Sequence, residues 1–198
     1  MLYLRAFVRI VSTQSGFRPH HSTESILIKM TDELDAMDQG LFTGAIFLDL
    51  RKAFDVVNHE LLVAKPQMYG CSSSALLWFK IYLSDRRQCV NIARTLSDTG
   101  VLKSGVPQGS ILGPVLFLLS INDLPLTWKN RNGLFADNST FYASASNLTD
   151  VQVQLQRDLS NTETWTKDHG VAAHILSCWY STKAFPLRRI CPFTVFGW

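Results

Sequence analysis

Apolar and polar positions along the chain change period several times, and each change marks an element. Ile26, Met30, Leu34 and Met37 fall at helical spacing, so residues 22–38 are expected to form a helix that Ser22 or Thr23 can cap. Gly44 to Leu50, GAIFLDL, is a short apolar run bounded by glycine, which suits a buried strand ending on an aspartate. Arg51 to Ala64 then returns to helical spacing through Phe54, Val57, Leu61 and Leu62, and Pro66 should stop that helix. Ser74 to Ser84 reads as a second amphipathic helix. Gln88 to Ala93 and Thr99 to Lys103 can pair as strands about the turn-prone Ser97-Asp98. Gly105 to Gly109 is a loop bracketed by Gly and Pro, and Ile111 to Asn122 is a buried helix that tolerates Pro114 in its first turn. Gly133 to Ser144 alternates about a polar tip, Asp137-Asn138-Ser139, as a β-hairpin does. A long helix follows from Thr149, with Thr149 and Gln152 as a capping box and Val151, Leu155, Leu159 and Trp165 as its stripe. The order of elements predicts an α+β fold, helices packed on one face of a small, mainly antiparallel sheet.

The chain has 198 residues, 46% of them apolar, enough for one domain with a sizeable core. Its formal charge of +3 permits a polyanionic partner without requiring one, so nucleic-acid binding has to rest on motifs. The cysteines, Cys71, Cys89, Cys178 and Cys191, have no CxxC spacing and are expected to be reduced thiols. The longest apolar run, Ile111 to Ile121, is interrupted by Gly113 and Pro114 and has about half the length a membrane span needs. Arginines within the first ten residues argue against a signal peptide. The expectation is an intracellular protein, nuclear or cytoplasmic, not secreted and not in a membrane. The triplets at Asn138 and Asn147 are then chance matches to the glycosylation signal.

Three segments carry candidate chemistry. Asp49 ends a strand, where a carboxylate serves as a cap, a surface group or a metal ligand. Residues 104–114, SGVPQGSILGP, have glycines that let backbone approach a ligand closely, although the segment also reads as a loop before a helix. FADN, residues 135–138, sets acidic and amide groups at a hairpin tip, where Asp-Asn also occurs for conformational reasons.

Taken in order, these segments resemble reverse transcriptases, and most nearly those of non-LTR, LINE-type retrotransposons of the jockey and CR1 kind. GFRPHHST (16–23), AIFLDLRKAFDVVNH (45–59), YGCSSSALLWFKIYLSDRRQCV (69–90), SGVPQGSILGPVLFLLSINDLP (104–125) and LFADNSTFYAS (134–144) carry the resemblance. It implies a polymerase palm with part of the fingers over residues 1–170. It also implies RNA-directed DNA synthesis, in which a primer 3′-hydroxyl attacks the α-phosphate of a deoxynucleoside triphosphate. RNA template, DNA primer and nucleotides are the implied partners. Two Mg²⁺ ions, with Mn²⁺ as an alternative, would sit ~4 Å apart and take hard oxygen ligands. By resemblance, Asp49 and Asp137 ligate the metals with help from the Leu50 carbonyl. Phe54 lies under the incoming sugar and selects against a 2′-hydroxyl; read by itself it is a core phenylalanine. Gln108 hydrogen-bonds the incoming nucleotide, Gly109 lets backbone near the template, and Arg18 contacts phosphate or template, or is a solvated surface arginine.

The chain also departs from the family. The hairpin motif should read Ala-Asp-Asp, and position 138 is Asn. Pro66 replaces an apolar helix residue. Residues 171–198 lack the family's lysine-rich connection and show no period, which makes them a divergent tail, such as a frameshift or a misassigned exon leaves. The upstream fingers, the thumb and any endonuclease are expected to lie outside the chain. The alternative reading is a catalytically inactive mobile-element remnant, at most an RNA-binding module. A group II intron-type maturase would share the palm, but the segment after residue 71 looks more like retrotransposons. A metal nuclease has no matching ligand set.

Overall fold

The computed structural model describes residues 10–31, 39–68, 71–182 and 185–189. The chain divides into two compact units, one spanning Lys52–Ile121, the other combining Val11–Arg51 with the segment from Asn122 onward.

The second unit is built on one sheet. Strands β1 (Phe42–Arg51), β6 (Arg131–Phe135), β7 (Asn138–Ala145), β8 (Ala172–Thr182) and β9 (Phe185–Arg189) lie in the order β6-β7-β1-β8-β9, each neighbouring pair antiparallel. The GAIFLDL run therefore forms the central strand, as its apolar character requires. Along β1 burial alternates: Ile46, Leu48 and Leu50 are almost wholly buried, and Phe47 and Asp49 are half-exposed. Opposite Ile46 lie Phe141 and Cys178, both fully buried, so three strands give one apolar face. Against the sheet packs a 22-residue helix, Leu148–His169, whose Val151, Leu155, Leu159 and Trp165 are the buried stripe expected from the sequence. Its cap is Asn147, which accepts from the Asp150 amide at 2.9 Å, and not the expected Thr149 box. A competing Asx cap two residues earlier lengthens the helix. Gly170, with φ +65°, ends it in the left-handed conformation.

The expected boundary at residue 170 falls in this turn between helix and strand. Ala172–Thr182 pairs along nearly all of β1, from Thr43↔Ser181 to Arg51↔Ala172, with an irregularity between Phe47 and Leu48. That shift breaks the two-residue alternation, which is why the segment shows no clear period. A shorter helix, α1 (Thr23–Thr31), lies against β6; Leu34 and Met37 of the expected helix lie outside the described residues.

The first unit holds α2 (His59–Met68), α3 (Ser73–Leu83), α4 (Gly113–Ile121) and a small hairpin arm. The helix expected from Arg51 starts eight residues later. Asn58 caps it, its Oδ1 accepting from the amides of Glu60 (2.9 Å) and Leu61 (3.2 Å), and residues 52–55 form a turn with Lys52 at φ +50°. An Asn placed to accept from amides two and three residues on outweighs the apolar spacing before it. The helix also continues to Met68 past Pro66, contrary to expectation. A proline removes one N–H and one intrahelical bond, and only two helical residues follow it, so little remains to be disrupted. In the arm, β2 (Arg87–Gln88) pairs with β5 (Gly100–Val101) as expected, but an inner ladder, β3 (Asn91–Ile92) with β4 (Thr95–Leu96), puts the turn at Ala93-Arg94. Both turn residues have positive φ, +47° and +70°. Register in so exposed an arm has no buried face to specify it. Among the described residues no helix is long and apolar enough to cross a membrane.

Candidate metal and nucleotide site

Asp49 is carried on the exposed side of β1, two residues before its end at Arg51, and is flanked by buried Leu48 and Leu50. The hairpin β6–β7 turns through Ala136 and Asp137, because Phe135 pairs with Asn138. The expected three-residue tip is thus a two-residue loop, and Asn138 and Ser139 belong to the strand. Ala136 has φ +55°, the positive value that a primed two-residue turn needs at its first position. Register then brings the acidic segments together: Asp49 pairs directly with Asn138, and the Leu50 amide donates to the Asp137 carbonyl at 3.3 Å. Directly paired residues on antiparallel strands point to the same face, so Asp49 and Asn138 share one side of the sheet. On its other side Asp49 pairs with His174 of β8. The row across the sheet is Asn138, Asp49, His174, with Asp137 at the adjoining turn. Asp49 and Asp137 are half-exposed and Asn138 is exposed, so water and ions reach them. Among the described residues no group of three or more His, Cys, Asp or Glu is placed to hold a metal ion. Two carboxylates and an amide carbonyl supply hard oxygens of the kind Mg²⁺ takes, with one charge fewer than a third aspartate would bring.

The remaining predicted residues are found as follows. Arg18 is in the second unit. Its Nη1 donates to the carbonyls of Val11 (3.0 Å) and Gln14 (2.9 Å), so that nitrogen braces its own loop. Phe54, Gln108 and Gly109 belong to the first unit. Phe54 lies in the turn after β1, not on a helix, and its ring stacks on Phe117 with centroids 4.3 Å apart. Gln108 is exposed and donates to Asp55 Oδ1 at 2.8 Å. Gly109 has φ +77° and open space where a Cβ would be. The loop before it is sewn to the Phe54 turn by the Gly105 amide on Val57 O (2.8 Å) and the Val106 amide on Phe54 O (2.7 Å). A Cβ at Gly105 would sit 2.7 Å from Asp55 O, so this glycine serves a close approach of the chain to itself.

A family model described as "Reverse transcriptase (RNA-dependent DNA polymerase)" matches residues 2–175. The chain belongs to the reverse transcriptase family. Among curated relatives of this reverse transcriptase chain, the probable RNA-directed DNA polymerase from transposon BS of Drosophila melanogaster is 32% identical over 164 residues. That match covers 78% of the chain and 18% of the relative. The probable RNA-directed DNA polymerase from transposon X-element of the same organism is 37% identical over 132 residues, covering 63% and 14%. These relatives are non-LTR retrotransposon polymerases, the group that the motifs resemble. The chain thus spans less than a fifth of their length. A solved structure of apo telomerase from Candida tropicalis, truncated from its C-terminal domain, superposes with TM-score 0.54 at 16% identity. It covers 80% of the chain and 34% of that protein, a likeness of fold. The shared fold is mixed helix and antiparallel sheet.

Two residues beside this candidate site were not visible in the sequence. His174 was assigned to the tail, and only the register of β8 places it beside Asp49. Gln14, 122 residues before Ala136, bonds both backbone polar groups of that turn residue. Its position just before the GFR segment was the one available signal.

Proposed function

We propose that the chain is the palm, with part of the fingers, of an RNA-directed DNA polymerase of a non-LTR retrotransposon. The observation that carries this reading is the convergence of the β1 end with the hairpin turn, Asp49 against Asn138 and Leu50 against Asp137, inside a family-wide match. The proposed partners are an RNA template, a DNA primer and deoxynucleoside triphosphates. Asp49 and Asp137, with the Leu50 carbonyl, would hold Mg²⁺, or Mn²⁺ in its place. When bound, such ions lower the cost of forming the attacking alkoxide and neutralise the departing pyrophosphate. The carboxylates fix where that charge is held. Gln108, through its amide, contacts the incoming nucleotide, and Gly109 leaves its surroundings open to template. Arg18, with Nη1 already engaged, retains further donors for phosphate.

Purified chain, given a labelled DNA primer on RNA, the four deoxynucleotides and Mg²⁺, is expected to extend the primer slowly. Asp49→Ala should lower that rate to background; equal extension by both proteins would refute the assignment. Phe54, held against Phe117, is proposed to block a 2′-hydroxyl. Phe54→Val is expected to improve ribonucleotide use relative to deoxynucleotide by about tenfold, read as the ratio of kcat/KM values.

One observation favours a second reading. With Asn138 in place of a third carboxylate, the chain fits an inactive mobile-element remnant that at most binds RNA. Loss of extension together with retained RNA binding would identify it.

A further inference from the structure

We propose that Gln14 is a positioning residue that sets the direction of Asp137, an inference that rests on the metal-site reading above. Gln14 as a whole is 2% exposed. Oε1 accepts from the Ala136 amide at 3.0 Å and from the Gly16 amide at 2.7 Å, and Nε2 donates to the Ala136 carbonyl at 3.2 Å. One amide side chain thus grips both peptide planes flanking Ala136, the residue that turns through φ +55°. A non-glycine residue there is held against its own preference, and the next residue along is Asp137.

The grip is itself anchored. The Ser15 amide donates to Leu134 O at 2.7 Å and the Leu134 amide to Thr13 O at 2.9 Å, docking the 13–15 segment along β6. Arg18 bonds the Gln14 carbonyl, and Asn122 Oδ1 accepts from the Val11 amide at 2.8 Å. Gly16 packs so closely that a Cβ would lie 2.2 Å from the Ala136 nitrogen, which explains glycine in the GFR segment. The segment before GFR therefore acts as a brace for the acidic turn.

The test uses the full chain carrying Asn138→Asp, with Mn²⁺ titrated by electron paramagnetic resonance and amide exchange followed residue by residue. Gln14→Ala should weaken Mn²⁺ binding about tenfold and speed exchange of the Ala136 amide at least as much, while Ile46 in β1 keeps its rate. Adding Ala136→Gly, which adopts positive φ without strain, should return Mn²⁺ affinity to within about threefold of the parent. A merely structural role predicts faster exchange at Ile46 as well, and no rescue by glycine. Unchanged Mn²⁺ affinity in folded Gln14→Ala overturns the proposal. If the parent binds no Mn²⁺, the metal-site reading fails instead, and the brace is judged on Ala136 exchange, where an unchanged rate overturns it.

Discussion

Replacing Asn138 by Asp should raise the primer-extension rate of the purified chain by about 100-fold or more. Asn and Asp are nearly the same size, and position 138 is exposed and paired with Asp49, so the substitution neither crowds the sheet nor buries a charge. What changes is charge: the row Asn138, Asp49, His174 gains a second carboxylate, and Asp137 adjoins it. A unit charge about 4 Å from a dication contributes several kcal/mol even under strong effective screening. Each ~1.4 kcal/mol of transition-state stabilisation is tenfold in rate. The measurement is steady-state extension on an RNA template, both proteins at equal concentration and matched Mg²⁺. Equal rates would mean that position 138 contributes no metal-directed charge. The gain should appear chiefly in kcat, because the added group acts on charge that develops in the reaction.

The second large effect is on stability. Asp158→Ala is expected to destabilise the unit that carries the site by about 3 kcal/mol, because three donors lose an acceptor. Asp158 is fully buried on the long helix. Its carboxylate accepts from the Lys129 amide (3.0 and 3.1 Å), the Asn130 amide (2.9 Å) and Asn130 Nδ2 (2.8 Å). Lys129 and Asn130 lead directly into β6, the strand that ends at the acidic turn. Alanine would leave the Lys129 and Asn130 amides without this acceptor, leave Asn130 Nδ2 only the Gln154 carbonyl at 3.1 Å, and untether the start of the hairpin. Urea unfolding should show a lower midpoint at unchanged slope. Asp168→Ala, an exposed change on the same helix, should stay within about 0.5 kcal/mol of the parent. Equal midpoints for the two variants would contradict the anchoring role.

Both effects depend on residues whose partners are far off in sequence, and here the limits of reading a sequence become concrete. The apolar run at 44–50, the helix at Gly113–Ile121, the buried stripe of the long helix and the two arms of the acidic hairpin were all legible from local period. Each buries a face repeated every two residues or every three to four. The acidic positions themselves, Asp49, Asp137 and Asn138, were legible as an ordered set of motifs. Local competition was harder to see. Asn58 and Asn147 start their helices through side-chain bonds to amides two or three residues on, and apolar spacing alone misplaces both starts.

The sequence by itself determined the central strand, the buried helices and the acidic hairpin, which side chains carry charge, and that the acidic segments are those of a reverse transcriptase. Only tertiary structure decided register: that Asp49 faces Asn138 on one side and His174 on the other, that the stretch after residue 171 is a neighbour of the central strand, and that Gln14 grips a turn 122 residues away. The physical reason is that period is a property of neighbouring residues, whereas pairing between strands and the satisfaction of a buried amide are settled by the whole chain at once.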